Sequence, residues 1–325
     1  MAKLYEIPKN KEERTSIEME RMAVYNELLE SRTKRKVLQG VIEQCKPNET
    51  AADSKLRVMA VVNYRGWKIL IPIGLMGLDL DKIEDYSQTQ KESLYKRYII
   101  SMLGSTVKFI VHPSPDSIDS SLRFAVCSRV AAMKAEQNVY YLRINKASNK
   151  SKMERAFEDQ TIVKGRVVST NTSSCFVEVY GKQVQIPRSE MSWRYVGNVG
   201  DIVHNGDIVD LKIQHLAVNH ETGEIDLRVS MKAAQENAVK NNMKLYTEGS
   251  TVLGTVSGIS NGYWIQVGDI NTGIDVYCKR INCGELPQIG DLVGVTLFSM
   301  NRETGMIFGS IENIARRAHS WGSVA

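Results

Sequence analysis

The 325-residue chain is 42% hydrophobic and 24% charged, ordinary for a water-soluble globular protein and long enough for two or three cores. No apolar run approaches the ~18 residues a membrane helix needs, and the opening MAKLYEIPKNKEERTSIEMERMAV is charged where a secretory leader is greasy, so a cytoplasmic location without membrane contact is expected. The net charge of +5 is uneven: 27 Lys and Arg stand against 21 acids in residues 1–160, 8 against 8 in 161–232 and 3 against 7 in 248–315, which places phosphate attraction toward the N-terminal half.

In chain order, Ile17, Val24 and Leu28 with Met22, Tyr25 and Leu29 recur at helical spacing and predict a helix over 10–31. It runs into Arg32, Lys34, Arg35 and Lys36, and is either an ordinary amphipathic helix with a solvated end or a docking helix for a larger particle. Strand-like runs follow at 36–43 and 57–77, the latter folding back at Asn63-Tyr64-Arg65-Gly66. A helix is expected over 91–103, then strands over 105–112 and 122–132 around the turn-rich PSPDSIDSS. Residues 128–158 read as a helix plus a polar linker, NKASNKSK being too poor in apolar residues to bury anything.

The clearest module comes next, with strands IVKGRVVST, CFVEVYG, KQVQIP, DIVDLKIQHLAV and EIDLRVSM bent at Gly165, Gly181, Gly206 and Gly223. After a helical spacer over 232–244, a third set follows: STVLGTVSGIS, YWIQVGD, GIDVYCK, LVGVTLFSM and MIFGSIENIA. Gly40, Gly165 and Gly254 open the first strands of the three sets, KILIPIGLMG and QVQIPRSEM share an Ile-Pro end, and LGSTVKFIV, NGDIVDLKI and IGDLVGVTL share one grammar. These are three copies of one unit.

Gly165 to Val168, CFVEV, IPRSEMSWR at 186–194, NGDIVDLKI and Arg228 to Lys232 together resemble the RNA-binding repeat of the bacterial ribosomal protein S1 family. The likeness is best over 161–232, a matter of pattern over 250–313, and degenerate over 36–133. It implies a mainly β protein with connecting helices, built as three tandem five-stranded barrels of the oligonucleotide-binding fold (OB fold) after an N-terminal helix. The expected division is 1–33 extension, 34–133 degenerate repeat, 134–160 helix and linker, 161–232 RNA-binding repeat, 233–247 spacer, 248–315 degenerate repeat and 316–325 tail. Where the family has two aromatics on the second strand and a His after the third, this repeat has Ser173, Phe176 and Pro187; the third has Asn261 and Trp264, with Tyr263 alongside.

Single-stranded RNA is held by bases stacked on exposed rings and by cations near its backbone. The candidates are Phe176 and Trp193 for stacking, with Arg166, Lys182, Arg188, Arg194 and Arg228 for phosphate; in the first repeat Tyr64, Arg65, Trp67 and Lys68 combine both. Phe176 shares a strand face with Glu178, which favours exposure, and Arg188 and Arg194 flank one short loop at an end of the groove. The acidic third repeat is the poorest phosphate candidate, with Tyr263 and Trp264 facing protein or core.

No catalytic, cofactor or metal constellation emerges. His215 and His220 have a spacing zinc uses but no preceding cysteine pair; Asp79 with Asp81 and Asp207 with Asp210 read as solvated turns; GISNG joins two strands, not a strand and a helix. Five scattered cysteines read as free, mostly buried thiols. The expectation is a non-enzymatic binder of single-stranded messenger RNA acting in translation, with the small ribosomal subunit as candidate partner. The alternative is a protein-interaction adaptor docking on a ribosome, polymerase or phage machine, RNA contact being incidental.

Overall fold

The computed structural model of the protein describes residues 11–47, 58–78, 86–269 and 273–318. Asp79, Asp81, His319, the first ten residues and most of the expected tail lie outside them. Helix α1 (Lys11–Lys34) leads into strands β1 (Leu38–Pro47), β2 (Val58–Tyr64) and β3 (Trp67–Pro72), helix α2 (Gln88–Ser101), and strands β4 (Thr106–Val111), β5 (Ile118–Asp119) and β6 (Phe124–Ser128). Their order is β3-β2-β1-β4-β6-β5, and parallel pairing of β3 with β6 closes the barrel. Val58, Ala60 and Val62 alternate into its core, where Val24 and Leu28 of α1 join Tyr95 and Ile99 of α2.

The second barrel is prefaced by α3 (Arg129–Gln137), one wide turn of π-helix (Asn138–Leu142) and α4 (Lys152–Glu158). Strands β7 (Ile162–Thr170), β8 (Ser174–Val179), β9 (Lys182–Pro187), β10 (Ile208–Val218) and β11 (Ile225–Ser230) follow, ordered β11-β10-β7-β8-β9. After the short helix α5 (Ala238–Asn242), strands β12 (Thr251–Ile259), β13 (Tyr263–Val267), β14 (Ile274–Ile281), β15 (Leu292–Asn301) and β16 (Met306–Arg316) form a closed barrel. Three five-stranded barrels after an N-terminal helix is the architecture the sequence implies. Gly40, Gly165 and Gly254 occupy equivalent places where a Cβ would come within 2.5–2.7 Å of atoms on the neighbouring strands, so close strand packing, repeated three times, excludes a side chain there.

One expectation needs correction. The strand expected over 122–132 stops at Ser128, whose side chain accepts the Ala131 amide hydrogen and starts α3. On either side of NKASNKSK, Tyr141 and Met153 join the second barrel's core, and the Tyr141 hydroxyl donates to the Val179 carbonyl. Cys127, Cys175 and Cys278 are buried and free, and burial pushes the Cys175 thiol up to about 11. Among the described residues no helix is long and apolar enough to cross a membrane.

Candidate nucleic-acid interface

The outer face of β7–β8 is covered by the first barrel. Val168 is part of the first barrel's core cluster and Phe176 packs against it, while the Ser105 hydroxyl donates to the Val168 carbonyl. Glu178, on the same face as Phe176, is 8% exposed and ion-paired at 2.5 Å with Arg129, which is fully buried. Arg129 also donates to the Met76 carbonyl and the Gln183 side chain. The alternation was read correctly, but exposure does not follow from it: a neighbouring barrel and a buried cation satisfy this face, leaving Phe176 half-buried at a junction.

In the first barrel the candidate rings are engaged by α1. Tyr25 stacks on Trp67 at 6.2 Å, and Trp67 is 4% exposed within the core. The Tyr64 hydroxyl donates to Glu27 at 2.6 Å, and burial followed by that carboxylate pushes it up to about 12. Arg65 pairs with Glu27 at 3.1 Å and approaches Glu20. Of this set only Lys68 keeps an exposed side chain without an ion pair among the described residues, so the stacking platform expected at Tyr64 and Trp67 is replaced by a helix-capped barrel.

The second and third barrels meet differently. Rows of side chains cross the third barrel where β13 pairs with β14 and β14 with β16: Trp264 lies opposite Tyr277, and Tyr277 opposite Phe308. Trp264 and Tyr277 are 5.0 Å apart, Tyr277 and Phe308 6.2 Å, and all three rings are half-buried. From the second barrel, Tyr195 stacks on Trp264 at 4.9 Å and 14°, above Gly258, where any Cβ would collide with its ring. The cleft beside this row holds about 550 Å³ and is lined by Trp193, Arg188, Lys232, Asn261 and Met306 as well.

Cations reach the cleft from the second barrel. Lys232 Nζ lies 4.5 Å from the centre of the Trp193 ring, whose Nε1 donates to the Gln235 carbonyl. Arg188 lines the wall. Arg194 does not share that freedom: its guanidinium pairs with Asp275 at 3.3 Å and donates to the Asp269 carbonyl, and the same carboxylate accepts the Tyr195 amide. Arg188 and Arg194 thus divide, one facing the cleft and one fastening the barrels together. With Asp275 paired to Arg194, two further cations face five aromatic rings, which is stacking and phosphate chemistry in one place.

Elsewhere, Arg166 donates to the Gly206 carbonyl, Lys182 lines a shallow hollow with Gln137 and Asp226, and Arg228 is exposed on β11 opposite His215. None of these stands in the cleft. Sequence reading missed Tyr195, Tyr277, Phe308 and Lys232 and discounted Trp264. The usable signal was parity, since Trp264 alternates with the core residues Ile265 and Val267, but which barrel lends the cations is settled by contacts between repeats. No group of three or more His, Cys, Asp or Glu suited to a metal occurs among the described residues.

Residues 156–230 match the family described as "S1 RNA binding domain". Over 193 residues the chain is 24% identical to small ribosomal subunit protein bS1 of Pseudomonas aeruginosa, covering 57% of this chain and 32% of that protein. Over 211 residues it is 25% identical to bS1 of Rhodopseudomonas palustris, covering 63% and 34%. A third similarity, 28% over 141 residues, is to a 4-hydroxy-3-methylbut-2-enyl diphosphate reductase of Clostridium acetobutylicum and covers 42% of this chain and 21% of that protein. The matched segments span about a third or less of these relatives. Residues 156–230 are thus similar to an S1 RNA binding domain, and the resemblance carried by IPRSEMSWR lies within the matched residues.

Proposed function

We infer, from an S1 domain whose loop 188–196 faces the aromatic row of the next barrel, that this protein binds single-stranded RNA in the cleft between the second and third barrels. The observation that carries this reading is the composite wall: Trp264, Tyr277 and Phe308 from an acidic barrel, with Arg188 and Lys232 from a balanced one. Bases stack on the rings while the backbone runs past the cations, so base preference is modest and affinity falls with salt. The similarity to bS1 supports a role on messenger RNA in translation, without bond-making chemistry. Fluorescence anisotropy with a labelled single-stranded RNA tests it. Trp264→Ala is expected to weaken binding by ~1–3 kcal/mol, and Lys232→Gln to reduce the salt slope; unchanged affinity and slope in both would remove the cleft from consideration.

A second reading, docking on a protein, draws on α1, where Met19 and Met22 are 67% and 60% exposed beside a hollow lined by Arg21, Tyr25 and Arg123. Substituting both methionines with Ser separates the two: partner recruitment is lost with RNA affinity intact if α1 is the docking element.

A further inference from the structure

The segment joining the first and second barrels encloses a hollow of about 490 Å³ whose lining includes Arg143, Lys146, Lys152 and Arg155 and no acid. The acids on α4 are turned elsewhere. Glu154 accepts from Ser151 in a capping box and pairs with His220 at 3.2 Å, and Glu158 pairs with Lys150. Among the described residues none of the four cations has a carboxylate partner. Lys152 Nζ rests 4.8 Å from the centre of the Tyr140 ring, and Tyr140 is stacked at 3.9 Å on Tyr180. Arg155 Nε is excluded from water and has no hydrogen-bond acceptor.

Four like charges around one cavity repel each other, and an oxyanion in the hollow relieves that repulsion. Arginine pairs present forked donors that match phosphate oxygens. The exposed side chains of Val139 and Ile144 complete the wall. This geometry is built by the π-helical turn, by α4 and by the Asn145–Lys150 bridge that closes the loop between them, outside the residues that form the barrel itself.

We propose that this hollow is a phosphate-binding site for the backbone of the same RNA strand that occupies the aromatic cleft, a proposal that rests on the RNA-binding reading. Position favours a nucleic-acid phosphate over a free anion. The Tyr140–Tyr180 stack stands at the start of β9 and Arg188 directly follows its end. Six residues of strand separate the two sites by ~20 Å, a span that a strand filling the ~4–16 nucleotides one such barrel accommodates can cover.

The test uses the full chain and a labelled single-stranded RNA of ~12 nucleotides, with affinity measured across a salt series. Arg143 and Lys146 are both exposed, so Arg143→Gln/Lys146→Gln leaves the fold intact. Removing two phosphate contacts is expected to lower the slope of log K against log salt by ~1.4, from ~0.7 per contact on a single strand. Trp264→Ala, as comparator, weakens binding at every salt concentration with the slope retained. An unaltered slope in the double variant, with wild-type binding and the Trp264→Ala loss both present, overturns the phosphate site and leaves the cleft standing. A wild-type chain that binds no RNA overturns both.

Discussion

Asp275 lies between two barrels, 6% exposed, and accepts from the Arg194 guanidinium and the Tyr195 amide. Burial, the largest influence, pushes its carboxyl above the usual 3.8, while that amide and the guanidinium draw it back. A carboxyl with a raised value holds its proton more firmly folded than unfolded, so its contribution to stability is fullest in acid and declines as pH rises through the folded value. Asp275→Asn has no such titration. The variant is therefore expected to gain on the wild type as pH rises from about 4 and to level off once the folded carboxyl has ionised, read as the difference in urea midpoints; a difference that is flat or of opposite slope contradicts the burial account. That Arg194 fastens barrels while Arg188 faces the cleft was not legible in IPRSEMSWR, because the two guanidinium groups differ only in which residues of the third barrel stand opposite them.

At the level of elements, the β8–β9 hairpin shows what local sequence specifies and what it leaves out. Val179 pairs with Lys182 across Tyr180 and Gly181, whose φ values of 47° and 82° suit a two-residue loop ending in Gly. The same glycine abuts α3: a Cβ would lie 2.2 Å from the Met133 carbonyl oxygen, while Gln137 donates to the Gly181 carbonyl. Gly66, in the corresponding β2–β3 turn, has φ 84° and open space around it. Gly66→Ala should cost ~1 kcal/mol of left-handed strain. Gly181→Ala should cost clearly more, because α3 must also move; equal losses in urea denaturation would show that α3 does not press on the turn. The helix was expected within 128–158, but its start was blurred by its neighbours: AVCSRVAA reads as one apolar run, and the start signal is Ser128 ahead of the helix-favouring AAMKAEQ.

For the molecule as a whole, the Arg129–Glu178 pair is the principal polar tie between the first and second barrels, reinforced by Asn205 donating to the Ser101 and Leu103 carbonyls. Arg129→Met leaves a buried carboxylate without its cation and is expected to cost ~3–5 kcal/mol, whereas Arg129→Met/Glu178→Met recovers most of that loss, since desolvation of the pair offsets much of its attraction. Urea denaturation of both variants checks this; a double variant as unstable as the single one would mean that Arg129 acts through its other bonds. The packing of the barrels also decides which faces stay open: the second barrel's Phe176 face is covered by the first barrel, while the third barrel's aromatic row is covered at Trp264 by Tyr195. By itself the sequence determined the three barrels and the S1 character of the second, because alternation, turn glycines and the first-strand glycines are local and repeat three times. Only the tertiary structure decided which rings and charges are left open. Exposure of an outward ring, and the pairing of an outward charge, depend on whichever barrel packs against it, and no periodicity within a strand encodes its neighbour.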